Sequence, residues 1–305
     1  MPSSHSMFSP TVRRNRNRNR NRAPRGAGLA LAAAVLAGVT AFGTAPASAA
    51  SPASPSSVAC PSSSCQAVAE GLAGAFSVAL DGHGSAFLSV SDSGDGRVKR
   101  VDLATGAVTT VATGLGNVRG IASDGAGSVY VVDFAGRLQQ VDVATGAHRV
   151  VVSGFDPLLA VAHHDGHVYV GGIGQVWDIS PGAPARLLAG GLGTVLDLAT
   201  DASGRLYMSD LNGTVSRIDP ATGTTTLFDE GGYEPTSLQV AADGRIVFVS
   251  AAVTVKTIDP ATGGRGGPIT TSLRSFSDFA LDSGGDALVI DSVTGTLWRM
   301  TGLAG

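Results

Sequence analysis

Two carboxylates and one amide occupy matching positions of a repeating sequence, where they have the chemistry to coordinate a cation or transfer a proton. Asp197, Gln239 and Asp278 each stand two residues before an alanine. Paired carboxylates bind divalent cations through oxygen, and they also serve as general acid and base. Arg119 and Glu234 lie nearby in their own repeats. These five residues are the candidate ligand-binding set. For Asp197, Gln239 and Asp278 the alternative is a structural role, bonding loop amides or channel water.

A repeat of about 40 residues must position these side chains. Asp-Pro-Ala-Thr-Gly at 219–223 returns at 259–263, and looser copies begin at Asp102 and Asp142. Within the second copy, short apolar runs at 118–124, 128–133, 137–143 and 148–152 are separated by Gly-containing turns. Four short strands joined by tight turns are typical of one antiparallel propeller blade.

The end of each first strand can be counted along the chain, and the count is six. An alanine precedes each of these ends by two residues: Ala79, Ala122, Ala162, Ala199, Ala241 and Ala280. The position two residues earlier holds Ser77, Gly120, Ala160, Asp197, Gln239 and Asp278. Small side chains suit strands that converge on a central axis. The sequence therefore predicts an all-β fold, a six-bladed propeller of four-stranded antiparallel blades over 65–305.

The N-terminal strand is expected to close the propeller. The last unit ends at Gly305 without a fourth strand, and Cys65–Leu72 resembles the fourth strand of the first unit, Thr109–Leu115. Pairing these two ends removes an open sheet edge.

Residues 1–49 are predicted to be a signal peptide. Seven arginines lie within the first 25 residues, an apolar run rich in Ala and Leu follows, and Ala47-Ser48-Ala49 is a small-residue cleavage site. The protein is thus expected to be secreted, with no stable membrane anchor after cleavage. Both the general secretory and the twin-arginine routes stay open. Residues 50–64, rich in Pro, Ser and Ala, are predicted to be a linker.

Charge and cysteine content limit the partners. The signal contains seven of the 21 basic residues and none of the 24 acidic ones, which leaves a net charge of −10 after cleavage. An acidic domain repels phosphate backbones, so no nucleic-acid partner is expected. Cys60 and Cys65 are the two cysteines, and in an oxidising compartment they predict a disulfide. We expect a monomer.

Three histidines fall within five residues, at His163, His164 and His167. Imidazoles in such a group are able to bind a transition metal. The alignment of repeats places them in the turn between first and second strands, on the face opposite the expected pocket. We therefore predict an exposed polar turn and assign no metal ligand.

The segments Gly120–Asp124, Val129–Asp133 and Gly136–Leu138 resemble the NHL repeat, in which Gly-Ile-Ala-x-Asp, Tyr-Val-x-Asp and Gly-x-Ile/Val recur. The resemblance implies a propeller related to receptor-kinase sensor domains, streptogramin-lyase-like proteins and gluconolactonase-like lactonases. An early Glu70-Gly71 is similar to the lactonase pattern.

Two functions follow from the sequence. The first is a secreted binding module that recognises a small molecule, peptide or protein through its channel-mouth loops. The second is a metal-assisted, lactonase-like hydrolase or lyase with its site at the same mouth. Binding requires no cofactor, whereas the hydrolase would use a divalent cation. The sequence is compatible both with an enzyme and with a binding protein that has no catalytic activity.

Overall fold

The computed structural model describes residues 56–92, 94–180, 182–230, 235–250 and 253–303. The predicted signal peptide at 1–49 and the start of the linker lie outside these residues. The described residues are organised as strands, in chain order β1 (Ser56–Val58), β2 (Cys65–Ala69), β3 (Ala75–Leu80), β4 (Ser85–Asp92), β5 (Asp95–Asp102), β6 (Val108–Ala112), β7 (Val118–Ser123), β8 (Ser128–Asp133), β9 (Leu138–Asp142), β10 (His148–Val152), β11 (Leu158–His164), β12 (His167–Asp178), β13 (Arg186–Thr200), β14 (Leu206–Asp210), β15 (Thr214–Ile218), β16 (Thr225–Glu230), β17 (Pro235–Val240), β18 (Ile246–Ser250), β19 (Thr254–Ile258), β20 (Ile269–Thr271), β21 (Asp278–Leu281), β22 (Ala287–Asp291) and β23 (Thr296–Met300).

The strands form a β-propeller built on four-stranded antiparallel blades, but the sheets number five within the described residues, not the predicted six. Three sheets have four strands: β3-β4-β5-β6, β10-β9-β8-β7 and β2-β23-β22-β21. A fourth has the order β1-β20-β19-β18-β17, and the fifth joins six strands from β11 to β16. The predicted count of six blades is therefore wrong.

The count fails because β13 belongs to two repeat units. Its first part, Arg186–Gly190, pairs with β12, and its second part, Val195–Thr200, pairs with β14. Six separate blades would require a break between these two parts, yet the strand runs on from Gly190 through Gly191, at φ +71°, to Thr194 and joins the units into one sheet. The inner edge still carries a strand from each repeat. In contact order around the ring these are β3, β7, β11, the second part of β13, β17 and β21, and β21 contacts β3.

The predicted closure by the N-terminal strand is confirmed. Strand β2 pairs antiparallel with β23, with Cys65 opposite Met300 and Gln66 opposite Arg299. The linker, by contrast, contains a strand that the composition did not indicate. In β1, Ser56–Val58 pairs in parallel with Ile269–Thr271 and extends the fifth unit's sheet outward.

The disulfide between Cys60 and Cys65 is also confirmed, with the two Cα atoms 5.2 Å apart. Cys65 is fully buried against the apolar cluster shared by the last two units. The bridge thus holds the segment before β2 against the point where the propeller closes.

The repeated Asp-x-Ala-Thr-Gly segment forms the predicted turn. In the second unit Oδ1 of Asp142 accepts hydrogen bonds from the amides of Ala144 at 3.1 Å and Thr145 at 2.8 Å. Gly146 closes the turn at φ +73°, and its amide donates to the Asp142 carbonyl at 2.9 Å. Only glycine adopts this φ without strain, which explains why the motif ends in Gly.

The core lies between neighbouring units, where the second strands are buried on both faces. Strands β14, β18 and β22 are buried at every position. Tyr130, Tyr169 and Tyr207 are each no more than 5% exposed, as expected for side chains packed between units. Burial on both faces accounts for the continuous apolar runs of these strands.

Candidate functional site

A β-bulge recurs at the start of the inner strands and turns one side chain per unit toward the channel mouth. Pairing with the next strand shifts register between Ala75 and Ser77, and again between Val195 and Asp197. Equivalent shifts occur in β7, β11 and β17. A bulge leaves an extra residue unpaired and redirects its side chain. The residues at this position, with Ser277 just before β21, form what we call the mouth ring: Phe76, Arg119, Leu159, Leu196, Thr236 and Ser277.

The mouth ring encloses a cavity of about 410 Å³. Phe134, from the hairpin between β8 and β9, adds to its wall, and Asp197 and Asp278 line it from below. The walls are mainly apolar, with a few polar groups converging on the space. Small-molecule sites in proteins have this size and this composition.

Arg119 is the charged member of the mouth ring, and its guanidinium lies between two aromatic rings. Its Cζ atom is 3.9 Å from the ring centroid of Phe76 and 4.2 Å from that of Phe134. The Ser89 hydroxyl donates to the Arg119 carbonyl, which fixes the backbone at this point. Among the described residues no carboxylate pairs with the guanidinium, and Nε is buried without a hydrogen-bond partner. Burial lowers the pKa of Arg119 from its ordinary value, although a guanidinium stays charged in proteins.

Below the mouth ring, an inner ring of side chains follows the bulge. Its members are Ser77, Gly120, Ala160, Asp197, Ser237 and Asp278. Asp278 accepts hydrogen bonds at Oδ2 from the Val78 amide (2.9 Å) and at Oδ1 from the Phe279 amide (2.8 Å). The Ser237 hydroxyl donates to the same Oδ1 atom. Asp278 therefore connects the sixth unit to both the fifth and the first.

Asp197 makes the equivalent connection between the fourth and fifth units. Its Oδ2 atom accepts from the Leu238 amide, and its Oδ1 atom from the Leu198 amide, both at 2.8 Å. In the first unit the Ser77 hydroxyl accepts a longer bond of 3.4 Å from the Ile121 amide. Both predicted carboxylates thus bond strand amides of the next unit rather than loop amides, and they also line the cavity.

The pKa of Asp197 is raised well above its ordinary value. Burial is the main cause, and the charge of Asp278 adds to it, while the Leu238 and Leu198 amides and the Ser237 hydroxyl oppose the shift. Burial likewise raises the pKa of Asp278 against the hydroxyls of Ser237 and Ser77. Two neighbouring acids in a poorly solvated place cannot both ionise easily. The pair therefore retains a proton more readily than separate surface carboxylates would.

Gln239 is not at the position that the sequence analysis assigned. In the fifth unit Ser237 pairs with Val249 and Gln239 with Val247, as Asp197 pairs with Ser209 and Ala199 with Tyr207 in the fourth unit. The turn after β17 begins at Ala241, whose amide donates to the Arg245 carbonyl, as Asp201 does to Arg205. The prediction took Asp243 as the end of the first strand, which placed the fifth unit's residues two positions too late in the repeat. Gln239 occupies the alanine position, and the residue beside the acids is Ser237.

The remaining candidates lie elsewhere. Glu234 is outside the described residues. His163 is in strand β11 rather than in a turn, and it stacks on Tyr130 with ring centroids 5.7 Å apart. It lines the channel of about 200 Å³ below the inner ring, together with Gln239. No group of three His, Cys, Asp or Glu side chains within the described part of the chain is placed to hold a metal ion.

The fold and the ringed cavity define a propeller with a pocket at its channel mouth. Solved structures of similar fold include a gluconolactonase from Xanthomonas campestris, with a TM-score of 0.65, 16% identity, and coverage of 77% of this chain and 88% of that one. A putative gluconolactonase has a TM-score of 0.63 at 14% identity, covering 77% and 91% of the two chains. A chain of a nidogen/laminin complex has a TM-score of 0.58 at 19% identity, covering 64% and 80%.

These likenesses show the fold alone. No family model matches the sequence, and none of the curated proteins does. The resemblance to the NHL repeat therefore has no support from sequence comparison. None of the described residues belongs to a helix with the length and apolar character needed to cross a membrane.

Proposed function

We propose that the protein is a binding module for a small organic anion, held in the mouth cavity by Arg119. The observation that carries the proposal is the guanidinium stacked between Phe76 and Phe134 without an acidic partner among the described residues. A stacked arginine is pre-organised, and its planar fork matches a carboxylate. Its position on a cavity wall leaves room for that carboxylate to approach.

Calorimetry and thermal shift with a panel of small carboxylates test the proposal. We expect at least one aliphatic or aromatic acid to raise the melting temperature, and Arg119→Met to remove the effect. Arg217→Met is the matched control, because Arg217 also lies over a ring, that of Phe228, but outside the cavity. Binding that is equally strong in Arg119→Met would refute the role of the guanidinium.

Lactone hydrolysis is the second candidate function. Asp197 lines the same cavity. Because its pKa is raised, its carboxyl group is suited to donate the proton that a departing alkoxide requires. The solved gluconolactonases share the propeller fold, which is compatible with this activity. Measuring hydrolysis of a sugar lactone, with and without a chelator and in Asp197→Asn, tests it. Turnover lost on chelation would favour the metal-assisted form, for which the described residues offer two carboxylates rather than three ligands.

We also propose that the protein is exported and that its signal peptide is removed. Cleavage after Ala49 would release the mature chain into an oxidising compartment, and the Cys60–Cys65 disulfide is consistent with such a compartment. The mouth ring takes one side chain from each of six inner-strand positions, two of which belong to one sheet.

A further inference from the structure

Opposite charges lie on opposite sides of the mouth cavity. Arg119 belongs to the second unit, and the inner strands follow one another around the ring in chain order. The fifth unit is therefore across the channel from Arg119, and Asp197 and Asp278 flank it in the fourth and sixth units. A ligand that spans the cavity meets a cation at one end and acids at the other.

Asp197 retains capacity to accept further hydrogen bonds, whereas Asp278 already accepts from two amides and from the hydroxyls of Ser237 and Ser77. Each oxygen of Asp197 accepts one amide bond, and a carboxylate has about four lone-pair positions. Asp197 is also partly exposed to the cavity. A ligand that donates several hydrogen bonds would occupy these positions, and an ammonium group donates three.

Apolar side chains separate the two charged ends. Phe76, Leu159 and Leu196 contribute to the cavity wall from the first, third and fourth units. Its volume of about 410 Å³ suits a molecule of amino-acid size. The charged ends and the apolar wall between them define the ligand more narrowly than the anion site alone.

We propose that the mouth cavity binds a zwitterion with its charges at the two ends of a short apolar chain, an ω-amino acid, with its carboxylate on Arg119, its ammonium group on Asp197, and its methylene chain against Leu159 and Leu196. This inference rests on the proposed anion-binding function. An acid without an ammonium group leaves the remaining lone pairs of Asp197 without a donor, and an amine without a carboxylate leaves the Arg119 guanidinium without an acceptor. Leaving a buried polar group unpaired weakens binding.

Calorimetry with matched probes tests the ligand class. The probes are 6-aminohexanoate, hexanoate and hexylamine, together with 5-aminopentanoate, pentanoate and pentylamine. We expect 6-aminohexanoate or 5-aminopentanoate to bind at least about tenfold more tightly than its two analogues, the factor that one charge-assisted hydrogen bond provides. Equal affinity for the acid and its amino acid overturns the zwitterion while the anion site stands. Absence of binding by every probe overturns both proposals.

Variants separate the two ends of the site. Asp197→Asn should lower 6-aminohexanoate affinity to about that of hexanoate, and leave the affinity for hexanoate unchanged or increased. Asp95→Asn, at an exposed acid paired with Arg97, is the control and should change neither affinity. If Asp197→Asn fails to fold, repeating the wild-type titration in buffers of different ionisation enthalpy decides the question. Because the pKa of Asp197 is raised, an ammonium group bound to it should release a proton, and a buffer-independent enthalpy for 6-aminohexanoate would contradict the proposal.

Discussion

The Oδ2 atom of Asp278 accepts a hydrogen bond from the Val78 amide at 2.9 Å, which connects the last inner strand to the first. Together with the pairing of β2 on β23, this bond closes the propeller both at its inner strands and at its outer strands. Asp278→Ala should leave the amides of Val78 and Phe279 and the Ser237 hydroxyl without their acceptor. We expect a loss of about 1–3 kcal/mol or more in unfolding free energy, measured by urea denaturation. Ser77→Ala, which removes one hydroxyl that bonds Asp278 and one long bond from the Ile121 amide, is the milder comparison and should cost less.

Deletion of residues 66–70 should expose the edge of β23. An unpaired edge strand promotes aggregation, so the deleted protein should be insoluble or melt at a much lower temperature. Expression solubility and thermal denaturation provide the measurement. A deletion mutant as soluble and stable as the parent would contradict closure by β2.

Stability should fall as pH rises through the titration of Asp197. Its folded pKa lies above its ordinary value of 3.8, so the folded state binds a proton that the unfolded state has already lost. Stability contributed by the protonated form is therefore present at low pH and is lost as pH rises toward and past the folded pKa. Asp197→Asn should flatten this decline in melting temperature between about pH 4 and neutrality. An unchanged pH profile in the variant would show that Asp197 is not its source.

Gly120→Ala should destabilise the protein because two inner strands approach closely at this residue. A Cβ atom there would lie 2.7 Å from the Leu159 carbonyl oxygen and 3.2 Å from the Ala160 Cα atom, and backbone atoms cannot move aside cheaply. We expect a cost of about 1–3 kcal/mol by chemical denaturation. Gly190→Ala is the control, since its nearest contact is a side-chain atom at 3.9 Å.

The native disulfide should be visible in the intact mass of the exported protein. Cleavage after Ala49 and oxidation of Cys60 with Cys65 predict a chain beginning at Ala50 that is two hydrogens lighter than its reduced form. Reduction removes the restriction that the disulfide places on the unfolded chain. The free energy of unfolding should therefore fall by about 2 kcal/mol, the entropic contribution expected for so short a loop. Labelling of free thiols in the unreduced secreted protein would contradict this expectation.

The repeat spacing was sufficient to predict the strands and their closure, because turn residues and buried apolar runs are local signals. Sheet number was not predictable in the same way. The prediction required a loop between the third and fourth units, yet Gly190–Thr194 continues as strand and merges two units. Whether a Gly-containing segment turns or stays extended depends on packing that the local sequence does not encode.

The residues of the candidate site could likewise be predicted only in part. Asp197 and Asp278 were found because they break a run of small residues at one repeat position. Ser237 was missed because Asp243-Gly244 resembles the turn marker of the other units, whereas the fifth turn begins at Ala241. The stacking of Arg119 had no sequence signal, since Phe76 and Phe134 come from other strands and loops.

The shared strand β13 joins the third and fourth units through its backbone. A force or a thermal fluctuation that opens the ring has to separate inner strands, and between these two units it also has to break the pairing of Ile173 in β12 with Thr194 in β13. Asp197, Ser237, Asp278 and Ser77 provide hydrogen bonds from the fourth unit round to the second. Between β7 and β11 the inner ring has Gly120 against Ala160, neither with a polar side chain. The seam between the second and third units is thus the place where the ring would part first, and hydrogen exchange should be fastest along it.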